Sequence, residues 1–333
     1  MTGGRRWVLM GLGAVAALGG LGVAVVVIRA NSAFSFPETP YPEGLSASSD
    51  PEVVARGEYL VWGPAHCSSC HATYPRDNPA ANAPGVPLAG GLAFEMGPIG
   101  RLYGLNLTPN QTDGIGRFTD AELARVLRTG VRPNGELSVF MSTSASSLSD
   151  EDIVAVISYL RSLPPEPAGH AEGGLNLLGR LMFGSLGLAP RDTPAPPAAP
   201  PSEFPSVARG EYLAESVILC TECHRVWDMA NFVPLGPKGG GGMCEPSHGP
   251  EKDMEFCTPN LTSHPNGFTG RVDEDGFVAR MRQGRVYASS VMPWENIGRM
   301  TETDLRSVYQ ALRALPPVDT DVGPTYRKVG WTP

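Results

Sequence analysis

The chain has 333 residues, of which 41% are apolar, and it carries a formal net charge of −8. This length suits two domains of ordinary size, while 33 prolines and 40 glycines indicate long loops. The acidic balance argues against a nucleic-acid-binding protein, because phosphate backbones attract basic surfaces. We therefore expect no nucleic-acid partner.

The first 30 residues differ from the rest of the chain. Arg5 and Arg6 precede an uncharged run over 7–28, and Arg29 follows it. As a helix this run would reach about 30 Å, enough to span a bilayer's hydrocarbon core. A cleaved signal peptide begins in the same way, although the residues after the run match a cleavage site poorly. The sequence predicts a single N-terminal anchor in the cell membrane over 1–30, with the other domains on the periplasmic, extracytoplasmic side.

The rest of the chain contains one module twice. Residues 55–60 (ARGEYL) recur as residues 208–213, and a CxxCH motif follows each copy at the same distance. Further blocks repeat in the same order with offsets of 151 to 154 residues. We predict a first domain over 46–167 and a second over 206–320. The stretch 168–205 between them combines an apolar segment with a proline-rich, semi-rigid linker.

The apolar segment runs from Leu175 to Leu186. Two interpretations remain open from the sequence. The segment docks on a partner or a membrane surface, or it covers its own domain.

Capping residues and apolar stripes predict that both copies are mainly helical. Asp50 before Pro51 marks the start of a helix that leads to the first motif. Thr119 with Glu122 forms a plausible capping box. Ser149 begins the last helix of the first copy, whose apolar residues fall on one face. The second copy repeats that face.

The two CxxCH motifs carry the strongest functional signal. Cysteines three apart on a helical turn face the same way and can each form a thioether to a haem vinyl group, while the next histidine can bind the iron. Zinc and thioredoxin-like sites also use cysteine pairs, but they do not require a histidine directly after each pair. The sequence therefore predicts two covalently bound haem c groups, attached through Cys67, Cys70, His71, Cys220, Cys223 and His224.

A six-coordinate haem also needs a distal ligand, which in short c-type modules is usually a methionine from a loop before the last helix. Met141 and Met292 lie there, at equivalent positions of the two copies. Pro293 would stiffen the second loop, whereas the first loop lacks a proline, so Met96 remains the alternative in the first copy. We predict that each methionine completes the coordination of the iron bound by the histidine of its own motif.

Cys244 and Cys257 occur only in the second copy. We predict that they form one disulfide, which would stabilise the fold by roughly 3 kcal/mol in the chain-entropy model. A free thiol pair or a ligand set for another metal is the alternative. The histidines outside the motifs have no counterpart in the other copy, and we expect them to be ordinary surface or loop residues: His66, His170, His248 and His264.

With these motifs the chain resembles the class I c-type cytochrome family, and in particular the multi-haem cytochrome c subunits of membrane-bound alcohol and gluconate dehydrogenases. The resemblance is carried by residues 56–60 (RGEYL), 106–109 (NLTP), 114–120 (GIGRFTD) and 159–165 (YLRSLPP). It implies two class I cytochrome c domains, so the sequence as a whole predicts a mainly α fold in which an N-terminal transmembrane helix precedes these two domains. The chain departs from that group in having two modules where three are usual, and in the insertion that contains the extra cysteine pair.

Ligation by histidine and methionine leaves no vacant iron position for a substrate, which is typical of an electron carrier rather than an enzyme. We expect a redox subunit that passes electrons from a dehydrogenase or other donor to a respiratory acceptor, such as a quinone, another cytochrome or an oxidase. Two alternatives stay open. One is a di-haem enzyme, such as a peroxidase or sulfur-compound oxidase, and the other is the di-haem subunit of a haem-copper oxidase.

Overall fold

The structure is a computed structural model. It describes residues 3–75, 77–138, 140–144, 147–168, 173–187, 189–190, 204–228, 233–247 and 251–331. His170, His248 and most of the predicted proline-rich linker lie outside these residues.

Helices make up 43% of the structure and strands 9%. The elements up to residue 185 are α1 (Gly3–Ser32), α2 (Pro51–Trp62), α3 (Ser68–His71), β1 (Ala93–Glu95), β2 (Gly100–Tyr103), α4 (Asp120–Thr129), α5 (Met141–Ser144), α6 (Asp150–Ser162), β3 (Gly174–Leu175) and α7 (Leu177–Ser185). Those of the second half are α8 (Val207–Glu211), α9 (Cys220–Cys223), β4 (Trp227–Asp228), β5 (Val233–Pro234), β6 (Cys244–Pro246), β7 (Met254–Cys257), α10 (Phe268–Arg271), α11 (Glu274–Gln283), α12 (Trp294–Ile297), α13 (Glu302–Ala314) and β8 (Tyr326–Lys328).

Helix α1 corrects the prediction for the N-terminus. Among the residues that the structure describes, no helix is both long and apolar enough to cross a membrane. A span needs about 20 consecutive, predominantly apolar residues in one helix, and the described part of α1 does not meet this requirement. The predicted N-terminal transmembrane helix is therefore wrong, and so is the predicted location through a single membrane anchor.

The first and last helices of each module cross at a glycine. Helix α2 packs against α6, and α8 packs against α13. A Cβ atom on Gly57 would lie 1.9 Å from the carbonyl oxygen of Ala155, and one on Gly210 would lie 1.8 Å from that of Ser307. These distances are far below van der Waals contact, so only glycine allows the two backbones to approach so closely.

Replacing Gly210 with alanine should lower the free energy of unfolding by about 1–3 kcal/mol, because the added methyl group forces α8 and α13 apart. Urea unfolding of the haem-loaded protein measures this change. Gly174→Ala is the matched control, since a Cβ there meets nothing within 4 Å. Equal midpoints for the two variants would contradict the close helix crossing.

One apolar core extends through both modules. It includes the fully buried side chains of Leu60 and Ile153 from the first module and of Leu213 and Leu305 from the second. Burying a side chain of this size contributes roughly 1.5–3 kcal/mol. The two modules therefore share a core, in addition to the polar contacts between them.

A smaller core lies beside the first module. Phe183 of α7 is buried there with Phe34, Val131 and Leu137. Strand β3 precedes α7 and pairs antiparallel with β2, with Leu175 opposite Gly100. The apolar segment therefore covers its own module along one side, while other apolar side chains of α7 stay exposed.

The insertion of the second module folds into a sheet with the C-terminal tail. Strands β6, β7 and β8 form the order β6-β7-β8, and both pairs are antiparallel. Cys244 lies directly opposite Cys257 in this register, and the two are joined by a disulfide. Arg327 of β8 forms an ion pair with Glu255 of β7 at 2.8 Å, so the tail is fixed to the insertion by side chains as well as by the strand ladder.

Candidate functional site

Helix α2 delivers the chain to the first motif. Its N-cap Asp50 accepts a hydrogen bond from the backbone N–H of Glu52 at 2.9 Å, with Pro51 in the first helical position. A turn follows the helix, and α3 then contains Cys70 and His71. In the second module α8 continues into a π-helical turn over Tyr212–Val217 before α9. Both motifs are therefore short helical turns that follow the first helix of a module.

The residue directly before each motif has a left-handed backbone. His66 has φ 40° and Leu219 has φ 63°, and they are the non-glycine residues with positive φ in the described chain. Such a conformation costs of order 1–3 kcal/mol, so both modules tolerate the same strain at the same point. His66 is thus a turn residue, and burial lowers the pKa of its imidazole.

Both motif histidines are held in one orientation by backbone carbonyls. The distance from His71 Nδ1 to the carbonyl oxygen of Leu105 is 2.7 Å, and that from His224 Nδ1 to the oxygen of Pro259 is 2.9 Å. A carbonyl oxygen can only accept, so Nδ1 carries the proton and Nε2 keeps its lone pair for a metal. The two carbonyls precede the repeated Asn-Leu-Thr blocks, which makes the arrangement equivalent in both modules.

The Asn-Leu-Thr blocks stabilise the loops that supply these carbonyls. Asn106 Oδ1 accepts from the backbone N–H of Thr108 at 2.9 Å, and Asn106 Nδ2 donates to the carbonyl of Glu166 at 2.8 Å. In the second module, Asn260 Oδ1 accepts from Thr262 at the same 2.9 Å. From the sequence these residues were known only as a repeated block. In the structure they hold the loop whose backbone carbonyl accepts from the motif histidine.

The predicted distal methionines pack against the main core. Met141 and Met292 are partly buried there, and Cys67 and Cys220 pack against the same cluster. Met96, the alternative for the first copy, packs instead against the smaller core. Met141 and Met292 thus contact the same core as the attachment cysteines, whereas Met96 does not.

Arg285 clamps the loop that contains Met292. Its guanidinium pairs with Glu295 at 2.8 Å and donates to the carbonyl oxygen of Met292 at 3.2 Å. The carbonyl of Met292 also accepts from the backbone N–H of Trp294 at 2.8 Å. Sequence analysis did not identify Arg285, because the residue has no counterpart in the other copy. This clamp adds to the stiffness expected from Pro293.

The thiols of the motifs complete a donor set that suits haem c. Within the described structure, none of the four attachment cysteines is part of a disulfide. Burial raises the pKa of the Cys67 thiol to about 12, and burial does the same for Cys220. Two thiols, an imidazole with an available Nε2 and a thioether are the groups that hold a covalently attached six-coordinate haem. The residues present therefore fit this cofactor in both modules.

The comparisons with known proteins agree with this chemistry. No family model matches the chain. It is 28% identical over 295 residues to "Alcohol dehydrogenase (quinone), cytochrome c subunit" of Gluconacetobacter polyoxogenes, covering 83% of this chain and 58% of that protein. It is 32% identical over 241 residues to "Gluconate 2-dehydrogenase cytochrome c subunit" of Pantoea cypripedii, covering 70% and 51%.

A further relative is matched over most of its own length. "Diheme cytochrome c-type" of Cereibacter sphaeroides is 26% identical over 295 residues, covering 81% of this chain and 91% of that protein. By contrast, the chain spans little more than half the length of the two dehydrogenase subunits. Its homologues over most of its length are thus cytochrome c subunits of dehydrogenases and a di-haem cytochrome c.

Proposed function

We propose that this chain is a di-haem c-type cytochrome that accepts electrons from a dehydrogenase or another donor and passes them to a redox acceptor. The observation that carries the proposal is the equivalent geometry of the two motifs. In each, a backbone carbonyl holds Nδ1 of the histidine and leaves Nε2 for iron. The names of the homologues support the same role.

Each of the two proposed domains, 46–167 and 206–320, would hold one haem with its own residues. Each haem would supply a reversible one-electron couple. The cysteine pair of each motif would form two thioethers, and the motif histidine would bind the iron on one side. Met141 and Met292 would bind on the other side, where a thioether favours the ferrous state.

Filled axial positions favour a carrier over an enzyme. A side chain on both faces of the iron leaves no position for a substrate, so the chain's residues serve to hold, orient and shield the cofactor. The homologues are named as cytochrome c subunits of dehydrogenases, which favours a dehydrogenase as the electron donor. The acceptor would be a quinone, another cytochrome or an oxidase.

Pyridine-haemochrome analysis of the purified protein should give two haems per chain, and a denaturing gel should retain haem stain because thioethers are covalent. The double variant Cys67→Ala, Cys70→Ala should retain one haem, and so should Cys220→Ala, Cys223→Ala. Replacing both Cys244 and Cys257 with serine is the control and should leave two. A native value of one, or haem that is extracted by acidified solvent, would contradict the assignment of both motifs.

A further inference from the structure

The two modules contact each other through a reciprocal pair of tyrosines. The hydroxyl of Tyr59 donates to the carboxylate of Asp304 and accepts from the backbone N–H of Thr301 at 3.2 Å. The hydroxyl of Tyr212 donates to Asp152 at 2.6 Å and accepts from the backbone N–H of Ser149 at 3.0 Å. Each tyrosine comes from the repeated ARGEYL block and reaches the last helix of the other module.

Each of these aspartates also binds an arginine of its own module. Arg56 pairs with Asp152 at 2.9 Å, and Arg209 pairs with Asp304. Both carboxylates are fully buried. Burial and the neighbouring carboxylate raise the pKa of the Tyr59 hydroxyl, so it remains a donor. The modules are therefore held in a fixed relation by buried, charge-assisted hydrogen bonds.

Within this fixed interface, one side chain joins the two candidate haem sites directly. Asn296 lies in α12, four residues after Met292, and it is 0% exposed. Its Nδ2 donates to the carbonyl oxygen of Trp62 and to Ser68 Oγ, both at 2.8 Å. Its Oδ1 accepts from Ser69 Oγ at 2.8 Å and from Asn82 Nδ2 at 3.1 Å.

The first module thus satisfies the whole hydrogen-bonding capacity of the Asn296 amide, which has two donors and two acceptor positions. Two of the four contacts are made with Ser68 and Ser69, the residues between the cysteines of the first motif. Arg299, one turn further on, donates to the carbonyl oxygens of Trp62 and Asn82. The loop that contains Met292 is consequently braced against the segment that would attach the first haem.

The two motifs differ at the residue that follows the first cysteine. Thr221 occupies the position in the second motif that Ser68 occupies in the first. Its hydroxyl is buried, yet it has no hydrogen-bond partner within the described part of the chain. Among the described residues, the hydrogen bond between Asn296 and Ser68 therefore has no counterpart at Thr221.

We propose that Asn296 is a positioning residue that couples the two haem sites, so that a change of ligation at the second site alters the first. This proposal rests on the proposed function, because it assigns both segments to haem binding. Asn296 would act through the segment from Trp62 to Ser69, whose position sets where the first haem is attached. Both donors and both acceptor positions of the buried Asn296 amide are engaged, so a small displacement of one loop is transmitted to the other.

The test compares Asn296→Ala with Glu295→Gln in the haem-loaded protein. Glu295 is the adjacent residue in α12, and its ion pair with Arg285 stays within the second module. Hydrogen exchange of the peptide over 62–71 should become at least tenfold faster in Asn296→Ala, and the midpoint potential of the first haem should shift. Glu295→Gln leaves every hydrogen bond of the Asn296 amide in place, so hydrogen exchange over 62–71 should keep its native rate even where the potential of the second haem shifts.

A double-mutant cycle isolates the coupling. Met292→His separates the second haem's redox wave from the first. It should also shift the first haem's potential when Asn296 is present, and this shift should be lost in the Asn296→Ala background. Ser69→Ala removes a single hydrogen bond to Asn296, so it should give a smaller effect of the same sign, which keeps the test open if Asn296→Ala folds poorly.

An unchanged first-haem potential together with unchanged exchange over 62–71 in Asn296→Ala would overturn the proposal. A uniform rise in exchange throughout both modules would overturn it as well, because that result describes a general loss of stability. A count of two haems in each of these variants would leave the proposed function intact in either case.

Discussion

Replacing Met292 with alanine should abolish the Met-to-iron near-infrared band of the second haem and open its iron to carbon monoxide. The thioether is the only group that the proposed coordination supplies on that face, and alanine has no donor atom. Met300→Ala is the matched control, because Met300 lies close along the chain but is fully buried in the core. It should lower stability by about 2–5 kcal/mol and leave the band intact.

Met292→His should keep the iron six-coordinate but lower the potential of the second haem. A thioether is a soft, weakly basic ligand that favours ferrous iron, whereas imidazole favours the ferric state more strongly. The expected drop is a sizeable part of the roughly 0.8 V range that axial ligands span. Spectroelectrochemical titration measures it, and an unaltered potential would mean that another residue is the ligand.

Two alanine substitutions, measured by the same near-infrared band, assign the distal ligand of the first haem. Met141→Ala should remove the first haem's band, and Met96→Ala should leave it. The opposite result would place the alternative methionine on the iron. If the unmodified protein already bound carbon monoxide at one haem without denaturant, the carrier function would fail and a di-haem enzyme would become the better hypothesis.

Asp304→Ala should lower the free energy of unfolding by about 3–5 kcal/mol, because it removes one partner of a buried ion pair and leaves the other charge behind. The substitution leaves the guanidinium of Arg209 without its carboxylate, and it also deprives the Tyr59 hydroxyl of its acceptor. Urea unfolding of the haem-loaded protein gives the change in free energy.

A neighbouring ion pair provides the control for Asp304. Glu302 lies on the same helix and pairs with Arg306, but both side chains reach solvent. Exposed pairs of this kind contribute little, so Glu302→Ala should leave the unfolding midpoint almost unchanged. If Asp304→Ala behaved like Glu302→Ala, the buried contact between the modules would not be a main source of stability.

Local features of the fold were predictable from the sequence. Asp50, Thr119 and Ser149 were expected to cap helices, and each accepts the hydrogen bond that a capping side chain makes. Thr119 and Glu122 form the complete capping box. These predictions are confirmed because capping depends on residues within four positions of each other, where sequence spacing fixes geometry.

The contacts between the modules were not predictable in this way. Tyr59 and Asp304 are 245 positions apart, and no periodicity relates them. The repeated ARGEYL block contains both tyrosines, but repetition does not indicate which residue a side chain will contact. Asn296 carried no such mark, since its role depends on tertiary packing alone.

The N-terminal prediction was wrong, since no helix among the described residues is long and apolar enough to cross a membrane. The carbonyls that orient the histidines could not be predicted from the sequence. Leu105 and Pro259 accept through their backbone oxygens, so the type of side chain at these positions does not indicate the role.

The exchange of tyrosines between the modules indicates how such a chain can have originated. Each module contacts the other through the same tyrosine and aspartate positions. Such a reciprocal contact has the form of a symmetric homodimer interface. An ancestor with one module would have presented the same tyrosine and aspartate to a second copy of itself. Fusion of the two copies makes their association independent of protein concentration, because the linker keeps each half at a high effective concentration near the other. It also frees the halves to diverge, as they have in the cysteine pair that only the second copy contains.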